Sequence, residues 1–156
     1  MDLAQLANLG EFIGGVAVLV TLVYLASQIR HSTRVALTSN HAAMMGDLRS
    51  IYRAVAQDAS LAELVVRGER DFESLQEVDQ RRFLEFANLL FGIWEQAHLC
   101  HLNGTIDEYT WTTWDEFGQH KLAPSGYSTV WPQFKSEYFA TFRLHLEGTL
   151  FSSKGA

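Results

Sequence analysis

The chain is poor in cysteine, proline and lysine, and each scarcity argues against certain structures or functions. The single cysteine, Cys100, excludes an internal disulfide and fits a reducing compartment. The only two prolines, Pro124 and Pro132, come late, so the chain before them can sustain long helices. Basic residues number 12 against 18 acidic ones, a net charge of −6. No basic stripe exists to neutralise phosphates, which argues against nucleic-acid binding.

Motifs of enzymes are equally scarce. The sequence contains neither a G-x-S-x-G element nor a phosphate-cradling glycine loop. Convincing alternation of polar and apolar residues, the mark of a half-buried strand, is absent as well. At 156 residues, the chain has room for one helical domain and one further element.

That further element is an uncharged run of eighteen residues between Glu11 and Arg30. As a helix it would be about 27 Å long, close to the ~30 Å hydrocarbon core of a bilayer. It has no polar face, unlike an amphipathic surface helix. We therefore predict a transmembrane anchor over residues 1–29. The alternative is the central helix of a soluble bundle, and a signal peptide is disfavoured because no Lys or Arg precedes the run.

The charges that flank the run predict its orientation. Arg30 and Arg34 follow it, whereas no basic residue precedes it. The positive-inside rule then places the N-terminus outside and the C-terminal domain in the cytoplasm.

One face of the predicted anchor is built from small residues, which recur three and four positions apart: Ala7, Gly10, Gly14, Ala17 and Thr21. Small side chains let two helices approach closely in lipid. We expect a contact face for self-association or for a larger membrane complex. Ordinary anchor composition, which is rich in Gly and Ala, explains the same pattern about equally well.

After the anchor, the periodicity predicts an all-α fold: one N-terminal transmembrane helix that continues to about Gln57, then a cytoplasmic bundle of four or five helices over residues 30–151. Asp58 and Asp107 are expected helix caps, Asn103-Gly104 is a stop signal, and Ser74 to Glu77 reads as a capping box. Gly68 and Pro132 are expected to end helices. Residues 152–156 are expected to fray.

Glu95 and His98 form an E-x-x-H element, which places both side chains on one helix face, as in di-iron bundles. Such sites need a second E-x-x-H and two more glutamates, and the sequence offers only one E-x-x-H. The alternative is that Glu95 bonds a backbone amide or a helix end and that His98 and the nearby His101 are half-exposed. The numerous aromatic residues lie at core spacing, so packing is favoured over a ligand pocket.

Several segments together resemble a widespread group of uncharacterised small bacterial single-pass membrane proteins. They are the LVYLASQIR run (22–30), the stretch from Asp58 to Glu63 with Arg67-Gly68, the Phe83 to Glu95 helix, and Gly104 to Glu108 with its following tryptophans. The resemblance covers nearly the whole chain and implies an N-terminal transmembrane helix in a bacterial inner (cytoplasmic) membrane plus a helical cytoplasmic domain. It implies no activity, cofactor or catalytic residue.

The sequence thus favours a membrane-anchored, non-enzymatic accessory or scaffold subunit that self-associates or binds a larger membrane complex. No cofactor is predicted, and the expected partners are the lipid bilayer, a second copy or a membrane complex. Two alternatives stay open: a metal-binding, di-iron-like enzyme that uses Glu95 and His98, and a ligand-sensing helical domain.

Overall fold

The computed structural model describes the backbone of residues 3–151 and the side chains of residues 11–29 and 39–150. Six α-helices follow one another: α1 Leu3–Gln57, α2 Ala59–Arg70, α3 Glu77–Leu102, α4 Glu108–Lys121, α5 Ser125–Phe134 and α6 Ala140–Leu146. Short 3-10 helices cover Phe72–Ser74 and Lys135–Glu137, and a π-helical turn covers Glu147–Phe151. No strand occurs between residues 3 and 151. The predicted all-α class, with an N-terminal apolar helix followed by a helical domain, is confirmed.

The chain divides into two compact units between Ser39 and Asn40. The first unit consists of the N-terminal part of α1. The second begins inside α1 and contains all the other helices. The expected fraying of residues 152–156 lies outside the described residues.

The local signals at three helix ends act as predicted. Asp58 caps α2, because its carboxylate accepts from the backbone N–H groups of Ser60 and Leu61 at 2.8 and 3.2 Å. Asp107 caps α4 in the same way through Thr110, at 2.7 Å. Gly104 follows the end of α3 with φ +66, a left-handed conformation that favours glycine.

Helix α3 forms the centre of the second unit. The ring of Phe91 is fully buried and lies against four other aromatic rings, with centroids 5.0–6.4 Å away: Tyr127, Trp131, Phe134 and Tyr138. Such offset and edge-on pairs add to the stabilisation from area burial. The aromatic residues around Phe91 therefore pack as a core, as their spacing predicts.

Two glycines bring α2 and α5 into backbone contact. A Cβ added to Gly126 would lie 1.9 Å from the carbonyl oxygen of Gly68, so only glycine fits there. Gly68 itself is buried inside α2 against Phe83, and the helix continues to Arg70. The prediction that Gly68 ends the helix was therefore wrong, since this glycine serves a close approach.

Two further predictions of helix ends were wrong. Helix α3 begins at Glu77, and Ser74 instead donates to the backbone carbonyl of Asp71 within the preceding 3-10 turn. Pro132 lies inside α5 near its C-terminal end, where the helix continues to Phe134. In both cases the neighbouring turn and packing override the local signal.

Candidate functional site

The first candidate site is the apolar segment of α1. The window Glu11–Ile29 has 19 residues with a mean hydropathy of 2.0, long and apolar enough to cross a membrane by length and composition. All of its side chains are exposed, among them Leu19 (64%) and Val23 (71%). A core helix of a soluble bundle would bury most of such a window. The segment therefore presents an apolar surface that needs a covering.

The polar groups of this segment are satisfied within the helix. Thr21 Oγ1 donates to the carbonyl of Ala17 at 2.8 Å, and Ser27 Oγ donates to that of Tyr24 at 2.8 Å. Hydroxyls that bond back to the preceding turn suit a helix surrounded by lipid, where no water takes their hydrogen bonds.

The structure describes the exposure of three of the five residues of the predicted contact face. Gly14, Ala17 and Thr21 are exposed, and a Cβ added to Gly14 would meet no atom within 4 Å. The backbones of Ala7 and Gly10 are helical, but the exposure of these two residues is not described, and neither are the side chains of Arg30 and Arg34. The contact face and the positive flank stay predictions.

Glu95 supports a helix terminus. Its carboxylate accepts from the backbone N–H of Phe139, the N-cap residue of α6, at 2.7 Å. Burial raises the pKa of Glu95, and the hydrogen bond from Phe139 opposes that rise. Because Phe139 has no side-chain acceptor of its own, Glu95 caps α6 from a distant helix. Capping of a helix end is the role that the sequence left open for Glu95 as the alternative to metal ligation.

His98 points into an aromatic cluster instead. Its ring is 6% exposed and lies 5.1 Å from that of His145, 5.3 Å from that of Trp111 and 5.8 Å from that of Phe142. Neither ring nitrogen has a hydrogen-bond partner in the described part of the chain. Burial lowers the pKa of His98, and the neighbouring histidines lower it further. The expectation that this histidine is half-exposed was wrong.

Asp115 organises the polar side of the same cluster. Its Oδ1 lies 2.6 Å from Nε2 of His145 and 3.1 Å from Nε1 of Trp94, and its Oδ2 accepts from Gln119 at 2.8 Å. Three partners from three helices thus engage both oxygens of this carboxylate. Sequence reasoning missed Asp115 and His145, since they lie thirty positions apart on α4 and α6 and share no motif.

These placements bear on metal and thiol chemistry. Among the described side chains, no group of three or more His, Cys, Asp or Glu residues could hold a metal ion. Glu95 is engaged with α6, while His98 packs among aromatic rings. Cys100 is buried, and its sulfur faces Gln96 Nε2 at 3.6 Å. Burial without an adjacent cation is typical of an inert thiol.

No protein-family model, curated protein or solved structure matches this chain.

Proposed function

We propose that this chain is a membrane-anchored accessory or scaffold protein without catalytic activity of its own. Its first helix spans a bacterial inner membrane with the N-terminus outside. Its helical domain lies in the cytoplasm, where it binds a larger membrane complex or a second copy.

The observation that supports this proposal is the fully exposed apolar window Glu11–Ile29. Leu, Ile, Phe and Val each favour insertion by about 0.3–0.6 kcal/mol at a helix centre. Ten such residues in the window together contribute on the order of several kcal/mol. Leaving so large an apolar surface in water invites aggregation, whereas lipid covers it without further cost.

The contacts of three side chains that could otherwise take part in catalysis support a non-catalytic role. Glu95 caps a helix, Asp115 contacts three polar side chains, and Cys100 is buried. A general acid, base or nucleophile has to reach a substrate. Glu95 and Asp115 instead hold helices of the domain together, and Cys100 packs in its core.

The membrane part is tested with a pair of arginine substitutions at exposed valines. Val20, 63% exposed, lies at the centre of the window, and Val66, 57% exposed, lies on α2. In water the two changes are equivalent, but in lipid Val20→Arg opposes insertion by about 3–4 kcal/mol. We expect Val20→Arg alone to release the full chain from membranes at alkaline pH. Equal extraction of both variants and the unchanged chain would refute the anchor.

Orientation and assembly are tested on the same membranes. A fluorescent reporter fused to the C-terminus should fold and fluoresce, as it does in the cytoplasm. Native mass spectrometry of the detergent-extracted chain should show a second copy or another protein in fixed ratio. A dark reporter would reverse the orientation, and a lone monomer would contradict the accessory role.

A further inference from the structure

A groove in the second unit lies between α1 and α3 and has a volume of about 780 Å³. On α1 its lining positions recur every three or four residues from Asn40 to Ile51, and on α3 they do so from Glu85 to Gln96. Each stripe spans eleven residue steps, or about 16 Å of helix. The groove is therefore about three helical turns long.

The lining of the groove is mixed, and part of its apolar surface is accessible. Leu89 is 58% exposed, Ala43 is exposed and Ile93 is half-buried, whereas Met44 and Ile51 beneath them belong to the buried core. Gly92 lies in the middle of the α3 stripe, and a Cβ added there would meet no atom within 4 Å. Glycine inside a helix is destabilising relative to alanine, and neither packing nor dihedral angle requires it here. The missing side chain deepens the groove and lets another backbone approach.

The charges that line the groove have one sign. Asp47, Glu85 and Glu137 line it, and no Lys, Arg or His does. Glu85 is paired with Arg81 at 2.7 Å, but Asp47 and Glu137 form no ion pair within the described part of the chain. A helix that docks here gains if basic side chains flank its apolar face.

We infer that this groove binds an amphipathic helix of a partner protein, about three turns long, with Lys or Arg beside its apolar stripe. Its apolar face lies on Ala43, Leu89 and Ile93, and its basic residues meet Asp47 and Glu137. Grooves of this kind recognise helices through anchors at i, i+3 or i+4, and i+7. The inference rests on the proposed accessory role and names the chemistry of its partner.

Charge favours a different protein over a second copy of this chain. The chain has a net charge of −6, so docking it into an acidic groove brings like charges together. Anionic lipid headgroups are disfavoured for the same reason.

The test uses photo-crosslinking in cells that make the full chain. Benzoylphenylalanine replaces Leu89 at the edge of the groove, and a control replaces Leu102, which is 54% exposed outside it. After irradiation, mass spectrometry identifies the crosslinked peptide. We expect position 89 alone to give one dominant peptide from another protein, with apolar residues at helical spacing and at least two Lys or Arg.

Two glycine variants then separate groove occupancy from folding. Gly92→Leu fills the groove, while Gly46→Leu adds the same side chain to α1 at a site that is equally open and outside the groove. We expect Gly92→Leu to reduce the crosslink about tenfold and Gly46→Leu to leave it within about twofold. The double variant Asp47→Asn and Glu137→Gln should also reduce it.

Several outcomes would overturn the inference. They are no crosslink above that of position 102, a crosslinked peptide from a second copy, a peptide that is acidic or lacks the apolar spacing, and equal yields for the two leucine variants. Membrane retention of the same samples is measured in parallel. If the chain stays in the membrane while the crosslink fails, only the groove assignment falls.

Discussion

Replacing His98 by phenylalanine should stabilise the helical domain. The imidazole is 6% exposed, and neither nitrogen has a described partner. A buried polar group without a hydrogen bond costs about 1–3 kcal/mol. Phenylalanine keeps the ring contacts with Trp111 and Phe142, although its slightly larger ring offsets part of the gain. We expect a net increase of about 1 kcal/mol in the free energy of unfolding at neutral pH.

The gain should grow as the pH falls. Burial, followed by the charges of His145 and His101, lowers the pKa of His98 below its ordinary 6.5, and Asp115 only partly opposes this. Below pH 6.5 the unfolded chain therefore binds a proton at His98 that the folded chain does not. The unchanged protein loses up to about 1.4 kcal/mol per pH unit until the lowered pKa is reached. The phenylalanine variant lacks this slope.

Urea denaturation of the full chain in detergent, followed by tryptophan fluorescence, measures the effect. All four tryptophans lie between residues 94 and 131, so the signal reports on the helical domain. His101→Phe is the matched control, because its ring also stacks on Trp111 but is partly exposed. It should change stability by less than about 0.5 kcal/mol.

Two results would refute the reasoning about His98. A loss of more than about 1 kcal/mol in His98→Phe would mean that the imidazole nitrogens make hydrogen bonds in the native protein. An unchanged slope between about pH 7.5 and pH 5.5 would mean that another group carries the pH dependence.

Two other substitutions test contacts that hold the helices together, both by urea denaturation. Gly126→Ala places a Cβ 1.9 Å from the backbone oxygen of Gly68, so α2 and α5 must separate. We expect Gly126→Ala to lower the free energy of unfolding by at least the roughly 1–3 kcal/mol that is typical of overpacking. The control Gly46→Ala should be neutral or stabilising. Equal denaturation midpoints for the two variants would contradict the close approach. Glu95→Ala removes the cap on Phe139 and should lower the free energy of unfolding by about 1 kcal/mol. Glu95→Gln keeps an acceptor and should lose less. Equal losses for the two variants would show that the charge of Glu95 matters more than its hydrogen bond.

Helix positions were predictable where the signal is local. The end of α1 at Gln57, the caps Asp58 and Asp107 and the end of α3 at Leu102 follow from side chains within three residues of each terminus. A short side chain that bonds a nearby backbone N–H acts before any tertiary contact forms. The apolar window was equally evident, since hydropathy needs no neighbours.

Predictions failed where a distant residue decides. Gly68 is a residue type that commonly ends helices, yet α5 packs on it through Gly126 and α2 continues past it. The E-x-x-H spacing places Glu95 and His98 on adjacent turns, but Glu95 reaches α6 while His98 packs beside His145. Spacing along one helix cannot indicate which other helix covers each turn.

The sequence by itself determined the helical class, the caps and a helix apolar enough for a membrane, because periodicity, capping and hydropathy act over a few neighbouring residues. Only the tertiary structure decided the roles of Glu95, His98 and Asp115 and created the acidic groove between α1 and α3. Those features depend on which helices lie side by side. That arrangement is set by the packing of the whole domain around Phe91 rather than by any segment of it.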